Sequence, residues 1–85
     1  LISYFTFNEN ELRAWSIKRG STAPEAAGQI HSDFEEGFIS ADTVNFNEFR
    51  EHRSWKAAKN AGAVRSRGDD YVVKDGDILR FQFNV

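Results

Sequence analysis

The amino-acid sequence predicts one α+β domain, a mixed β-sheet with one main helix packed across it and a short second helix. Three stretches carry that expectation. Leu79, Phe81, Phe83 and Val85 alternate with Arg80, Gln82 and Asn84, the two-residue period of a strand buried on one face. Ala23, Ala26, Ala27, Ile30 and Phe34 recur at helical spacing and form one apolar stripe. Leu1 to Phe7 and Glu11 to Arg19 are rich in aromatic and β-branched residues around a polar Asn8-Glu9-Asn10, the signature of a hairpin.

Each element has a local reason. In the second strand Arg13, Trp15 and Ile17 share one face while Leu12, Ala14 and Ser16 share the other; Trp15 and Ile17 are expected to face the core. Gly20-Ser21 interrupts the strand, and Thr22-Ala23-Pro24-Glu25 opens the main helix. Thr22 is the N-cap, Glu25 its capping-box partner, and Pro24 sits in the first turn, where a missing N–H costs nothing. Gly37 is the expected stop. The stripe begins with small residues, so this helix can lie close to a sheet.

Phe38 to Phe46 alternates loosely and predicts a third strand, and Asn47 to His52 a short helical turn. Ser54 caps a second helix from Trp55 to Ala61, closed by Gly62. Val64 to Asp70 is polar and turn-like, and Tyr71-Val72-Val73 a short strand. Asp75-Gly76-Asp77 is turn chemistry leading into the last strand. That strand is expected in the middle of the sheet, with Phe81 buried. A hairpin, a helix across the sheet and then further strands is the ubiquitin-like β-grasp order.

The 85 residues leave room for one core. With no cysteine there is no disulfide framework and no thiolate ligand or nucleophile. No apolar run has the length of a membrane span or signal peptide, so a cytoplasmic, non-membrane, monomeric domain is expected. The absence of methionine, with a start inside a strand-like stretch, suggests a piece of a longer protein. No glycine pattern of a phosphate-binding loop is present. His31 and His52 lack ligand-like spacing, and His31-Ser32-Asp33 cannot form a relay because adjacent helical residues point apart. Neither a catalytic residue nor a metal or cofactor site is predicted.

Charge is the informative feature. The net charge is −2, yet from Glu25 to Glu48 there are six acidic residues and no Lys or Arg. From Arg50 to Arg67 there are six basic residues (Arg50, Arg53, Lys56, Lys59, Arg65, Arg67) against Glu51 alone. Trp55 among these cations has two readings: a ring for stacking bases beside phosphate-binding cations, or an anchor that holds the short helix to the sheet with Ala58. His31, at the border of the apolar stripe, either closes the core edge or contacts a ligand by stacking.

Arg13-Ala14-Trp15, Ile30-His31-Ser32-Asp33-Phe34, Asp70-Tyr71-Val72-Val73-Lys74-Asp75-Gly76-Asp77 and Phe81-Gln82-Phe83-Asn84-Val85 together resemble the C-terminal TGS domain of the YchF/Obg-like ATPase family. The resemblance runs over nearly all of residues 1–85 and implies a TGS β-grasp module within a longer P-loop ATPase or GTPase. The parent would bind ATP or GTP with Mg in another domain and associate with ribosomes. TGS modules also occur in threonyl-tRNA synthetase and the stringent-response synthetases, which makes a ribosome or structured RNA the expected partner and strengthens His31 as a contact. The alternative is a protein-interaction or intramolecular regulatory module that positions the other domains of the parent. The family more often has Gly-Ser-Glu where this chain has Arg53-Ser54-Trp55, and a Lys-x-Arg-Leu-Glu-Gly-Lys stretch where it has Ala63 to Asp69. The basic lobe is therefore partly particular to this chain.

Overall fold

The computed structural model describes residues 1–8 and 11–84. Strands β1 (Ile2–Asn8) and β2 (Glu11–Ile17) pair antiparallel, with Ile2 opposite Ile17 and Tyr4 opposite Trp15. The Glu9-Asn10 part of the expected turn, and Val85, lie outside the described residues. Helices α1 (Ala23–Ile30) and α2 (Ser32–Glu36) follow, then β3 (Phe38–Asn45), α3 (Phe46–His52), α4 (Trp55–Asn60), β4 (Arg65–Arg67) and β5 (Asp77–Phe83). The sheet order is β2-β1-β5-β3-β4. β5 is central as expected, parallel to β1 and antiparallel to β3. The architecture is the α+β β-grasp: a mixed five-stranded sheet with a helix across it.

The sheet is covered on both sides, whereas the alternation in the last strand predicts a single buried face. On one side α1 packs over Ile2, Tyr4, Ile17, Val73 and Leu79, with Trp15 and Phe81 at the margin. Ala23, Ala26 and Ala27 have no exposed surface, and these small side chains let the α1 backbone approach until the Tyr4 hydroxyl donates to the Ala26 carbonyl at 2.9 Å. On the other side α3 and α4 bring Phe46, Phe49, Trp55 and Ala58 against Phe5, Phe7, Val44 and Ile78. Ile78 is therefore as buried as Leu79, and Phe81 is only half-buried. An arginine and a glutamine next to Phe81 signal an exposed face, but that exposure begins only after Ile78.

The single helix expected from Thr22 to Gly37 is two helices. His31 is extended (φ −160°, ψ 135°) and ends α1, and its Nδ1 accepts the Asp33 N–H at 3.1 Å to cap α2. Helical spacing from Ile30 to Phe34 runs through the break and hides it. Phe34 leaves the α1 stripe and stacks on Phe83, with ring centroids 3.9 Å apart. The helices pack tightly at Gly28, where a Cβ would lie 2.9 Å from Glu35 Cβ. At the start of α1 the Glu25 carboxylate accepts from the Thr22 N–H at 2.9 Å and the Thr22 hydroxyl at 3.0 Å, and these bonds hold it below the usual carboxylate range.

Two further expectations change after α4. The stretch taken as turn-like contains β4, whose Arg-Ser-Arg sequence has little strand propensity and forms because β3 offers a free edge. Tyr71-Val72-Val73 is not a ladder strand. It makes one bridge to Thr22 and is tied to the entry of α1, with Ala23 N–H donating to Tyr71 O and Val73 N–H to Ser21 O, both at 2.9 Å. Phe46 starts α3 rather than ending β3, because the Asn45 side chain accepts the Asn47 N–H as an N-cap.

Candidate nucleic-acid interface

The basic residues that are contiguous in sequence separate in space. Arg53 ends α3 and Lys56 lies in the first turn of α4, and Arg80, from the central strand, joins them around one groove of about 490 Å³. Phe7, Leu12, Phe49, Ser54 and Trp55 complete its lining. No carboxylate is among these described residues, and among the described residues no Lys or Arg lies within 4.0 Å of an acidic side chain. Asp42 is opposite Arg80 in the β3–β5 register, and its carboxylate accepts from Gln82 Nε2 at 3.4 Å. Lys59 is exposed on α4, one turn beyond Lys56, so both ammonium groups share the outer face of that helix. Arg50 is exposed on α3.

Arg65 and Arg67 are elsewhere. They lie in β4, at the sheet edge opposite β2, and line a cleft of about 170 Å³ with Glu48 and Asp77. Arg67 is committed to the fold: its guanidinium lies 4.6 Å from the Tyr71 ring centre and its Nε donates to Thr43 Oγ1 at 3.2 Å. The Tyr71 hydroxyl donates to the buried Asp77 carboxylate at 2.5 Å. Burial and that bond push the phenol well above its usual range.

Trp55 is 7% exposed and lies parallel to Phe7, with 5.8 Å between ring centres and 6° between planes. Phe7 also meets Phe49 at 5.9 Å. The ring anchors α4 to the sheet beside the buried Ala58, so of the two readings of Trp55 the geometry fits the anchor, not a free stacking platform. Ser54 fixes the start of α4, its Oγ accepting the Ala57 N–H at 3.0 Å.

Arg53 has a backbone φ of 69°, in the left-handed region that costs a non-glycine residue roughly 1–2 kcal/mol. It caps α3 through an N–H to Phe49 O bond of 2.8 Å, a role in which glycine is the unstrained choice.

His31 is on the other side of the sheet from the groove. It borders α1 and α2, which cover the Leu79 face, whereas Arg80 shares its face with Ile78. Its imidazole is 57% exposed, 5.4 Å from the Phe34 ring and 3.8 Å from Asp33 Oδ2. Glu25, Asp33, Glu35 and Glu36 all belong to α1 and α2, so the sheet separates these acidic groups from the basic groove. His31 and the groove cannot touch the same small ligand. Sequence reasoning did not find Arg80 and Leu12 as groove residues: one is the polar member of an alternating strand and the other an ordinary edge leucine.

No group of three or more His, Asp or Glu side chains among the described residues could hold a metal ion, and no helix among them is long and apolar enough to cross a membrane.

Comparison with known proteins agrees over nearly the whole chain. The family model YchF-GTPase_C, described as a protein of unknown function (DUF933), matches residues 1–84. The Ribosome-binding ATPase YchF of Escherichia coli O157:H7 is 53% identical over 85 residues, covering 100% of this chain and 23% of that protein. Obg-like ATPase 1 of Danio rerio is 51% identical over 82 residues, 96% of this chain and 21% of that protein. The solved structure of the Schizosaccharomyces pombe YchF GTPase superposes with a TM-score of 0.87 at 37% identity, covering 95% of this chain and 21% of that one. The chain thus spans less than a quarter of the relatives it matches. It corresponds to the C-terminal domain of these proteins, and it belongs to the YchF-GTPase_C family.

Proposed function

We propose that this domain is a non-catalytic TGS module that docks a P-loop ATPase on the ribosome or on structured RNA through the α3–α4 side of its sheet. The observation that carries the reading is convergence: Arg53, Lys56 and Arg80 come from three segments and meet at one groove without a lining carboxylate, on a chain of net charge −2. Cations held by three separate elements form a surface for phosphates, which dominate the affinity of nucleic-acid complexes. Lys59 and Arg50 extend that surface along the helices. The relatives named as ribosome-binding ATPases support the partner. Nucleotide and Mg belong to the remainder of such a parent, a monomeric cytoplasmic protein in this reading.

Co-sedimentation with ribosomes at low and high salt tests it. The 85-residue chain should pellet with ribosomes at low salt, and Lys56→Glu/Lys59→Glu should release it, while His31→Ala should not. Pelleting unaffected by the lysine reversals would move the contact off this face.

A second reading rests on the opposite end of the other face. Phe83 is 39% exposed and stacks on Phe34, itself only partly covered, and a partly uncovered aromatic pair of this kind suits contact with another domain of the parent. Loss of nucleotide-domain regulation on Phe83→Ser in a full-length relative, with ribosome binding intact, would favour it.

A further inference from the structure

The groove has a feature that phosphate binding alone does not need, an apolar floor. Leu12, which is 36% exposed, lines it together with Phe7 and Phe49. Phe7 stacks on Trp55, and Phe49 is tilted against Phe7 at 56°. Around this floor stand Arg53, Lys56 and Arg80. A duplex presents phosphates and grooves to a protein and keeps its bases stacked inside, so it would leave such a floor unused. Single-stranded RNA offers both a flat apolar surface and flanking negative charges, and guanidinium planes serve as stacking surfaces for splayed bases.

Size and strain are consistent with a built site. About 490 Å³ lies within the roughly 300–1,000 Å³ of small-ligand pockets. The left-handed backbone of Arg53 is held at a cost that glycine would avoid, and local strain of this kind concentrates where it positions a functional group. Here the strained residue is one of those that line the groove.

We propose that this groove takes one unpaired nucleotide of a single-stranded RNA segment, the base packing against the apolar side chains of Leu12, Phe7 and Phe49, the flanking phosphates on Arg53, Lys56 and Arg80. The proposal rests on the RNA-docking reading above and narrows it from structured RNA in general to a loop, bulge or single strand.

The test measures binding of the 85-residue chain to a fluorescently labelled single-stranded RNA oligonucleotide and to the duplex formed with its complement, at one salt concentration. The single strand should bind about tenfold more tightly, the scale of removing roughly 55 Å² of apolar surface from water. Leu12→Ser should remove most of that preference and leave duplex binding within about twofold, because apolar contact with the base and not phosphate contact is lost. Leu12 is an exposed edge-strand position, and unchanged thermal unfolding confirms that the variant is folded. Lys56→Glu should weaken both ligands. Equal binding of single strand and duplex, or a Leu12→Ser variant that keeps its preference, would overturn the unpaired-nucleotide site while leaving RNA docking intact. Binding of neither RNA, with saturable binding of an acidic leucine-bearing peptide, would overturn both.

Discussion

Ile78 and Leu79 are neighbours in the chain and neither has any exposed surface, because their side chains leave the central strand on opposite faces and each face is roofed by helices. Leu79 belongs with Tyr4 and Ala26 under α1, and Ile78 with Trp55 and Ala58 under α4. Ile78→Ala and Leu79→Ala should each cost about 2–5 kcal/mol in urea unfolding, the usual range for a buried aliphatic truncated to alanine. Phe81→Ala should cost less than the roughly 3–5 kcal/mol of a fully buried phenylalanine, because its ring is only half-covered. A Phe81 variant less stable than both others would mean that its ring carries more of the α1-side core than Leu79 does.

The Tyr4 hydroxyl links sheet and helix through Ala26. Tyr4→Phe should cost about 0.5–1.5 kcal/mol, the net worth of one hydrogen bond. Burial also pushes the phenol from its ordinary 10.0 to about 12. The unfolded chain then releases this proton first, so the contribution of Tyr4 is complete below pH 10.0 and is lost as pH rises towards about 12. Tyr71, shifted in the same direction, adds to that alkaline loss. Denaturant titrations across this window should show a shallower decline for Tyr4→Phe than for the parent sequence.

Gly28 is where α1 and α2 touch. Alanine there would bring its Cβ to 2.9 Å from Glu35 Cβ, closer than carbon atoms approach, so one helix must shift. Alanine gains about 1 kcal/mol of helix propensity over glycine, and overpacking costs about 1–3 kcal/mol. Gly28→Ala is therefore expected to lower the melting temperature. A rise would show that the angle between α1 and α2 yields freely.

Arg53→Gly separates stability from binding. Glycine relieves the left-handed backbone, so the variant should gain up to about 1 kcal/mol while binding RNA less tightly than the parent chain. A loss of stability would assign Arg53 a structural role instead.

The fold was legible because its local signals agree with one another. The hairpin strands, the Thr22–Glu25 capping pair, Ser54 at the start of α4 and the central β5 all follow from short-range chemistry. The break at His31 was hidden by apolar spacing that continues from Ile30 to Phe34. β4 was invisible because Arg65-Ser66-Arg67 is a strand only by virtue of its neighbour. The site was half legible. Arg53 and Lys56 stand out as cations near an aromatic, but their meeting with Arg80 and Leu12 is made by pairing of distant strands. The burial of Trp55 depends on Phe7, forty-eight positions earlier in the sequence.

The claim that the groove is the contact surface is tested most directly by the salt dependence of RNA binding. With three phosphates on Arg53, Lys56 and Arg80, log K against log salt should fall with a slope of about −2, at roughly 0.7 per phosphate for a single strand. Lys56→Glu/Arg80→Glu should weaken binding and flatten the slope to within about 1 of zero, while His31→Ala leaves both unchanged. A double variant that kept the parent slope and affinity, with His31→Ala losing them, would place the contact on the α1–α2 side and contradict this account.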